Sequence, residues 1–327
     1  MQLGKRYLAI VLLIGILIGV GISYGYLLLM EQLRPSQRHG QVGVFYYVWY
    51  DPAESVSWEY PKICDKPILG YYNSCDSMVI QQHLTWMSDL RINFAIISWW
   101  GFYNQTDWSS FINNATYQVF KTARENITDV KLCIMVEPFN SPPYNKTDNP
   151  TYDYTGIYDY INRTFVQPYP TNYYKYEEKP LVCFFNDQYL TPNPNVIRNG
   201  NFTVKIVGGD TYADWIYLDL IKDLVSEPTV RNRQVSVTPR FDDSRFRSPQ
   251  HTNDTDLTEG VYDKGWQRAI SSTRSSAIDV VTICSWNECP ERTAIEPHWD
   301  ADAYDHNPYF LYNKTKQYIF ELKGYTT

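Results

Sequence analysis

Glu288, Glu291 and Glu296 follow directly on an apolar run, Val280 to Cys284, within Val281-Thr-Ile-Cys-Ser-Trp-Asn-Glu-Cys-Pro-Glu-Arg-Thr-Ala-Ile-Glu-Pro297. Carboxylates at the end of a buried strand cost free energy unless chemistry or an ion uses them. Glu288 and Glu291 stand three residues apart with Asn287 beside them. Such a pair can supply the acid and the base that cleave a glycosidic bond. Taken alone, the pair also fits a plain acidic loop, so the elements that carry it have to decide.

Short apolar runs alternate with longer segments of helical spacing. The strand-like runs are Val42–Tyr50, Asn93–Trp99, Lys131–Glu137, Pro180–Phe185, Thr203–Val207, Gln234–Pro239 and Asp279–Ser285, and the clearest helical stretches are Ser77–Leu90 and Gly260–Ser276. Alternating β and α over residues 42–327 predicts an α/β fold with a parallel sheet, closed as a (β/α)8 TIM-like barrel. The spacing leaves the eighth strand unassigned. In such barrels the site is assembled where the strands finish. The ends here read Tyr47-Val-Trp49-Tyr50-Asp51, Ser98-Trp99-Trp100-Gly101, Glu137-Pro-Phe139-Asn140, Phe185-Asn186-Asp187, Pro239-Arg-Phe-Asp242-Asp243 and Ser285-Trp286-Asn287-Glu288. Loop polarity accounts for any single end. Six together predict a polar cleft with aromatic walls, the profile of a glycan site.

Composition narrows the partner. Aromatic residues make up 16% of the 327 residues, with 29 Tyr and 10 Trp. Aromatic planes stack on the C–H faces of sugars. A net charge of −7 argues against nucleic acid, which needs a basic field. The chain has no P-loop or dinucleotide fingerprint, and no C-x-x-C or His/Cys cluster of zinc spacing, so neither cofactor nor metal is expected.

The N-terminus reads as a membrane anchor. Residues 7–30 carry no charge and span about 36 Å as a helix. Lys5 and Arg6 precede them, so the positive-inside rule puts residues 1–6 in the cytoplasm and the rest outside the cell or in a lumen. Residues 31–41 form a stalk before the barrel at 42–327; a cleaved signal peptide is the alternative. Eight Asn-X-Ser/Thr sequons, at Asn104, Asn114, Asn126, Asn145, Asn162, Asn201, Asn253 and Asn313, predict a glycosylated surface. Cys64 and Cys75 flank a loop of suitable length for a disulfide in an oxidising compartment, whereas Cys133, Cys183 and Cys284 lie in apolar runs as buried thiols.

The strand ends resemble glycoside hydrolase family 99, the endo-α-1,2-mannosidases and their bacterial relatives. Phe45-Tyr46-Tyr47-Val48-Trp49-Tyr50-Asp51-Pro52 is similar to the family's FYYPWYxxP, and Pro67-Ile-Leu-Gly70-Tyr-Tyr-Asn-Ser74-Cys-Asp76 to its PxxGxYxSxD. Ile97-Ser98-Trp99-Trp100 resembles VSWW, Glu137-Pro138-Phe139 resembles EPY, and Val237 to Arg247 resembles VGPGYIDTxIR. Ser285 to Pro297 resembles SFNEWHEGTQIEP. The matches keep their order over residues 42 to 300.

The resemblance implies a retaining, endo-acting hydrolase of α-linked mannose-type glycans. It makes Glu288 the base on the sugar 2-hydroxyl, giving a 1,2-anhydro sugar, and Glu291 the acid that later activates water. It implies substrate contacts from Tyr46, Tyr47, Trp49, Trp99, Trp100, Glu137, Asn186, Asp187, Asp243, Arg247, Trp286, Asn287 and Glu296. Three departures stand out: Cys289-Pro290 between the glutamates, Phe241 for the family tyrosine, and Arg292 after the second glutamate. Arg292 is expected to set a cation beside Glu291, and Pro290 to redirect it. His83 reads as a packing or surface residue of a helix. Arg245 and Arg247 read as partners of Asp242 or Asp243, and Glu296 as a supporting group. Two other readings remain: a non-catalytic glycan-binding protein on a decayed barrel, and a hydrolase of another α-linked polysaccharide.

Overall fold

The computed structural model describes residues 40–53, 58–59, 63–101, 107–126, 128–137, 154–185, 198–208, 213–218, 229–245, 247–248, 253–254, 260–275, 277–300 and 307–325. Chain contacts gather His39–Thr327 into one compact unit. The expected anchor at 7–30 lies outside the described residues. Among the described residues no helix is long and apolar enough to cross a membrane.

Eight parallel strands run around a nearly closed barrel: β1 (Gln41–Tyr46), β3 (Phe94–Trp99), β4 (Lys131–Val136), β6 (Lys179–Phe185), β7 (Thr203–Gly208), β8 (Trp215–Ile216), β9 (Gln234–Val237) and β12 (Val280–Ile283). Their order is β8-β7-β6-β4-β3-β1-β12-β9. The first strand begins at Gln41, which was expected to end the stalk, because its amide already bonds the Asp279 carbonyl at 2.7 Å. Strands β3, β9 and β12 are buried throughout, which explains their continuous apolar runs: both faces of a barrel strand are covered. Two short antiparallel pairs stand apart, β2 (Lys66–Pro67) with β13 (His298–Trp299), and β10 (Phe241–Asp242) with β11 (Asn253–Asp254). A further short strand, β5 (Lys175–Tyr176), pairs with β6.

The helices that pack outside include α1 (Ser77–Asp89), α2 (Asp107–Glu125), α3 (Tyr154–Ile161), α4 (Val261–Arg274) and α5 (Phe310–Lys323). Asp76 starts α1 by accepting from the Met78 amide at 2.8 Å, a side-chain N-cap. The buried stripe of α1 is Ile80, His83, Leu84 and Met87, the i, i+3, i+4, i+7 spacing of a core-facing helix. One member of that stripe is polar, and it bears on the site below.

The eighth strand escapes sequence reading because β8 is two residues long. No ladder joins it to β9; the Gln234 side chain does so instead. Its Oε1 accepts from the Ile216 amide at 2.8 Å, and its Nε2 donates to the Ile216 carbonyl at 2.9 Å and to Thr282 Oγ1 at 2.6 Å. Ser236 adds a bond to the Tyr217 carbonyl at 2.7 Å. A side-chain amide thus stands in for a strand backbone and closes the ring.

Gln234→Leu strips two buried backbone groups of their partners and is expected to cost about 2–4 kcal/mol of stability. Urea unfolding measures this; a loss below about 1 kcal/mol would show that the ring closes without that amide.

Candidate active site

The loop that leaves β12 is held by its own backbone. The Cys284–Ser285 peptide bond is cis. Ser285 Oγ accepts from the Glu288 amide at 2.8 Å and contacts Thr293 Oγ1 at 2.8 Å. The Thr293 amide returns to the Glu288 carbonyl at 3.3 Å, and the Glu296 amide to the Trp286 carbonyl at 2.9 Å. The Arg292 amide donates to the Cys289 carbonyl at 3.1 Å, so Cys289-Pro290-Glu291-Arg292 is a β-turn. Pro290 occupies its second position, where a fixed φ is favourable and a missing N–H costs nothing. The departure at Cys289-Pro290 is therefore accommodated by the turn itself.

This loop delivers Glu288, 4% exposed, and Glu291, 8% exposed, and Glu137 at the end of β4 lies within electrostatic reach of Glu288. Ser98 donates to Glu137 Oε1 at 2.8 Å. Arg247 reaches Glu291 Oε1 at 2.8 Å and Asp243 Oδ2 at 3.2 Å. Burial pushes the Glu288 carboxyl well above the ordinary range, the negative neighbours Glu291 and Glu137 push it further, and Arg247 opposes them. Among the described residues no partner hydrogen-bonds Glu288 Oε2, although that oxygen is buried.

Arg292 does not stand beside the Glu291 carboxylate as expected. Its backbone takes a positive φ of 56°, and its side chain runs into a buried ion cluster. There it meets Asp65 at 3.0 Å, Asp300 at 3.0 Å and Asp242 at 3.5 Å. Arg240 joins the same cluster, at 2.7 Å from Asp65 and in contact with Asp300, and donates to the Arg292 carbonyl at 2.8 Å. His298 Nε2 lies 3.8 Å from Asp300. Burial works against charge on His298, yet Asp300 and Asp65 hold its imidazole above the usual value. With His298 protonated, three carboxylates face three cations, and the cluster is neutral. Asp65, His298 and Asp300 lie close enough together to hold a cation, but the two guanidiniums already take the Asp65 and Asp300 oxygens.

The aromatic ends divide into two groups. Tyr47 and Tyr217 meet through their phenol oxygens. Burial raises both phenols, and the acidic groups within electrostatic reach, Cys284, Glu288 and Glu291 among them, raise them further. Trp49 lies 4.6 Å from Tyr47 and 6.5 Å from Trp100, centroid to centroid, and both Trp are half-buried. These four form one aromatic cluster around the Tyr47–Tyr217 contact. Trp99 differs: it is fully buried, stacks on Tyr160 at 5.6 Å and donates to Asn113 at 2.9 Å, so it packs against the helices and leaves no face for a sugar. Trp286 and Asp243 are likewise fully buried, and Tyr46 is nearly so. Asn287 is spent on the Tyr47 backbone, accepting from its amide and donating to its carbonyl at 2.9 Å each. Asn186 and Asp187 lie outside the described residues.

His83, expected in plain packing or at the surface, is a buried member of this region. Its Nε2 lies 3.0 Å from Glu296 Oε2, and its Nδ1 is 3.0 Å from the Tyr46 hydroxyl. Glu296 also accepts from Tyr72 at 3.2 Å. A polar residue on the apolar stripe of α1 was the one signal that pointed to His83. Tyr217 had no such signal, since its strand was too short to read.

The expected Cys64–Cys75 disulfide is absent; both are free thiols. Cys64 points to Asp65 at 3.7 Å, at the margin of the ion cluster. Cys75 accepts from Asn114 of α2 at 3.4 Å. Pairing of Lys66–Pro67 with β13 sends the two cysteines to different neighbours.

No protein-family model and no curated protein matches this chain. Solved structures do match. Two structures of the GH99 endo-α-mannosidase of Bacteroides thetaiotaomicron, one in complex with bis-tris-propane, align with TM-score 0.62 and 20% identity, over 87% of this chain and 97–98% of theirs. A glycoside hydrolase-like protein aligns with TM-score 0.56 and 14% identity, over 86% of this chain and 94% of its own. At these identities what is shared is the fold.

Glu288 holds its proton more tightly in the folded chain than in the unfolded one, so it contributes stability at low pH that is lost as pH rises above the ordinary carboxylate range. Glu288→Gln removes this loss. Its melting temperature is expected to exceed that of the wild type near neutrality, with the gap closing towards about pH 4. A gap that is the same at both pH values would contradict the raised ionisation.

Proposed function

We propose that this chain is a divergent, membrane-anchored member of glycoside hydrolase family 99. It cleaves α-linked mannose-type glycans internally and with retention of configuration. The observation that carries the reading is Glu288: a buried carboxylate with an unpartnered oxygen, three residues from an Arg247-held Glu291, on the GH99 fold. Glu288 serves as base on the sugar 2-hydroxyl, whose oxygen closes on the anomeric carbon. Glu291 protonates the leaving oxygen and then activates water to open the 1,2-anhydro sugar. The usual retaining scheme uses a carboxylate nucleophile instead.

Closely spaced buried carboxylates share protons, and which one is charged depends on what lies between them. Trp49, Trp100, Tyr47 and Tyr217 form the walls on which sugar rings stack. Residues 7–30 hold the barrel at the membrane, outside the cytoplasm.

A second reading exchanges the two roles. Arg247 at 2.8 Å favours a charged Glu291, and the raised Glu288 favours a protonated one, which together suit Glu291 as base and Glu288 as acid. The two readings separate on leaving-group chemistry. An activated leaving group such as fluoride needs no protonation, so it rescues loss of the acid but not loss of the base.

The enzyme source for the test is carbonate-washed membranes carrying the full-length chain. The first reading expects Glu288→Gln and Glu291→Gln each to lose at least about 100-fold on an α-mannan oligosaccharide. Only Glu291→Gln recovers first-turnover fluoride release from the corresponding α-mannosyl fluoride, because the later activation of water is still impaired; recovery of that release by Glu288→Gln instead would establish the exchanged roles. Saturable sugar binding without turnover would favour the decayed-barrel reading, and cleavage of α-glucans alone would move the substrate class. Activity found wholly in the carbonate wash would remove the anchor.

A further inference from the structure

His83, Glu296, Tyr72 and Asn287 form a continuous chain of polar contacts from helix α1 to the end of β1. Tyr46 holds one ring nitrogen of His83 at 3.0 Å, and the other ring nitrogen lies 3.0 Å from Glu296 Oε2. The Tyr72 hydroxyl donates to the Glu296 carboxylate at 3.2 Å and accepts from Asn287 Nδ2 at 3.0 Å. Asn287 then grips Tyr47 by both its amide and its carbonyl, at 2.9 Å each. Tyr50 ties the same loop from beside it, donating to the Asn287 carbonyl at 2.6 Å and accepting from the Cys289 amide at 3.2 Å.

Every member of this chain is buried, at 5% exposure or less. That is a high cost for mere packing. An apolar residue at position 83 would complete the α1 stripe, and the His83 Nε2–Glu296 approach is close without the alignment of a hydrogen bond, so part of the desolvation of this network is left uncompensated. What the chain does hold is specific. Asn287 directly precedes Glu288, and Tyr47 sends its phenol to Tyr217 beside the carboxylate pair.

We infer that the His83–Glu296–Tyr72–Asn287 chain is a positioning device that fixes Glu288 and the Tyr47 phenol relative to each other. His83 and Tyr72 are its positioning residues, and neither touches the sugar. The inference rests on the glycosidase reading of Glu288. Strands β1 and β12 are neighbours, but the residues in question lie beyond their last paired positions, Val44 opposite Ile283. The Trp286 amide still reaches the Phe45 carbonyl at 2.8 Å, and beyond that bond Asn287 takes the place of the ladder. Tyr72 and Glu296 set the Asn287 amide, and His83 sets Glu296. A shift of about 1 Å in a reacting group costs on the order of 100-fold in rate. Loosening this chain therefore acts on turnover and leaves binding alone.

Tyr72→Phe is the informative variant, because it removes one hydroxyl and leaves the His83–Glu296 contact in place. With the full-length enzyme, kcat is expected to fall roughly 10–100-fold while KM stays within about twofold and the melting temperature changes little. If Glu288 is the base, an α-mannosyl fluoride does not restore the rate, since the lost step is attack and not departure. His83→Leu removes one side chain that contacts Glu296, so His83→Gln is the better second variant: its amide can donate to Glu296, and it is expected to keep more of kcat than His83→Leu. The double variant Tyr72→Phe/His83→Leu should lose less than the product of the single losses, because both break one chain.

Wild-type kcat in Tyr72→Phe, a rise in KM with kcat retained, or strictly multiplicative losses would each overturn the inference while the glycosidase reading stood. A wild-type protein inactive on every glycan and fluoride would overturn that reading, and the inference with it.

Discussion

Among the described residues no cation forms an ion pair with the buried Glu288, and the rest of the site is organised around that fact. A carboxylate removed from water cannot stay ionised cheaply; it either finds a partner or takes a proton. Here Arg247 contacts Glu291 and only partly offsets the burial and the two acidic neighbours that raise Glu288. Relaxation towards solvent is blocked because the loop is bonded to itself at Ser285, Glu288, Thr293 and Glu296. The result is two carboxylates close in sequence, one raised by burial and one in contact with a guanidinium, a difference of the kind that lets one residue donate while the other accepts.

A few residues further along the loop the same problem is solved in the opposite way. Asp65, Asp242 and Asp300 are matched by Arg240, Arg292 and His298, and that cluster fixes the far side of the turn bearing Glu291. Arg292 belongs to this structural group although it is adjacent to Glu291 in sequence, because its positive φ turns the side chain away. Charge compensated in one place and withheld in another distinguishes the framework from the reacting groups. The half-buried Trp49 and Trp100 complete the picture, offering apolar planes where the carboxylates offer none.

Much of this was legible before any coordinates. Seven of the eight barrel strands announce themselves as continuous apolar runs, since both faces are covered, and the Glu288–Glu291 spacing carries its chemistry openly. The eighth strand was not legible: two residues have no periodicity, and its closure depends on the side chain of Gln234, which a pattern of apolar positions treats as a defect. The same blindness hid His83, a polar residue on an apolar helix stripe whose partner lies more than two hundred positions away. Trp99 misled for the converse reason. It sits next to Trp100 at a strand end, but successive strand residues face opposite sides, so only one of the two can look into the barrel. Arg292 and the Cys64–Cys75 pair depart from expectation because residues near in sequence send their side chains to different neighbours.

The central claim is that Glu288 and Glu291 together hydrolyse an α-linked glycan through the substrate's own 2-hydroxyl. The most direct test is proton NMR of the newly released reducing end, recorded in the first minutes after the full-length enzyme meets an α-mannan oligosaccharide. Two successive displacements at the anomeric carbon predict that the α anomer appears first and then mutarotates. Initial release of the β anomer would mean a single displacement by water, and the account of this carboxylate pair would be wrong.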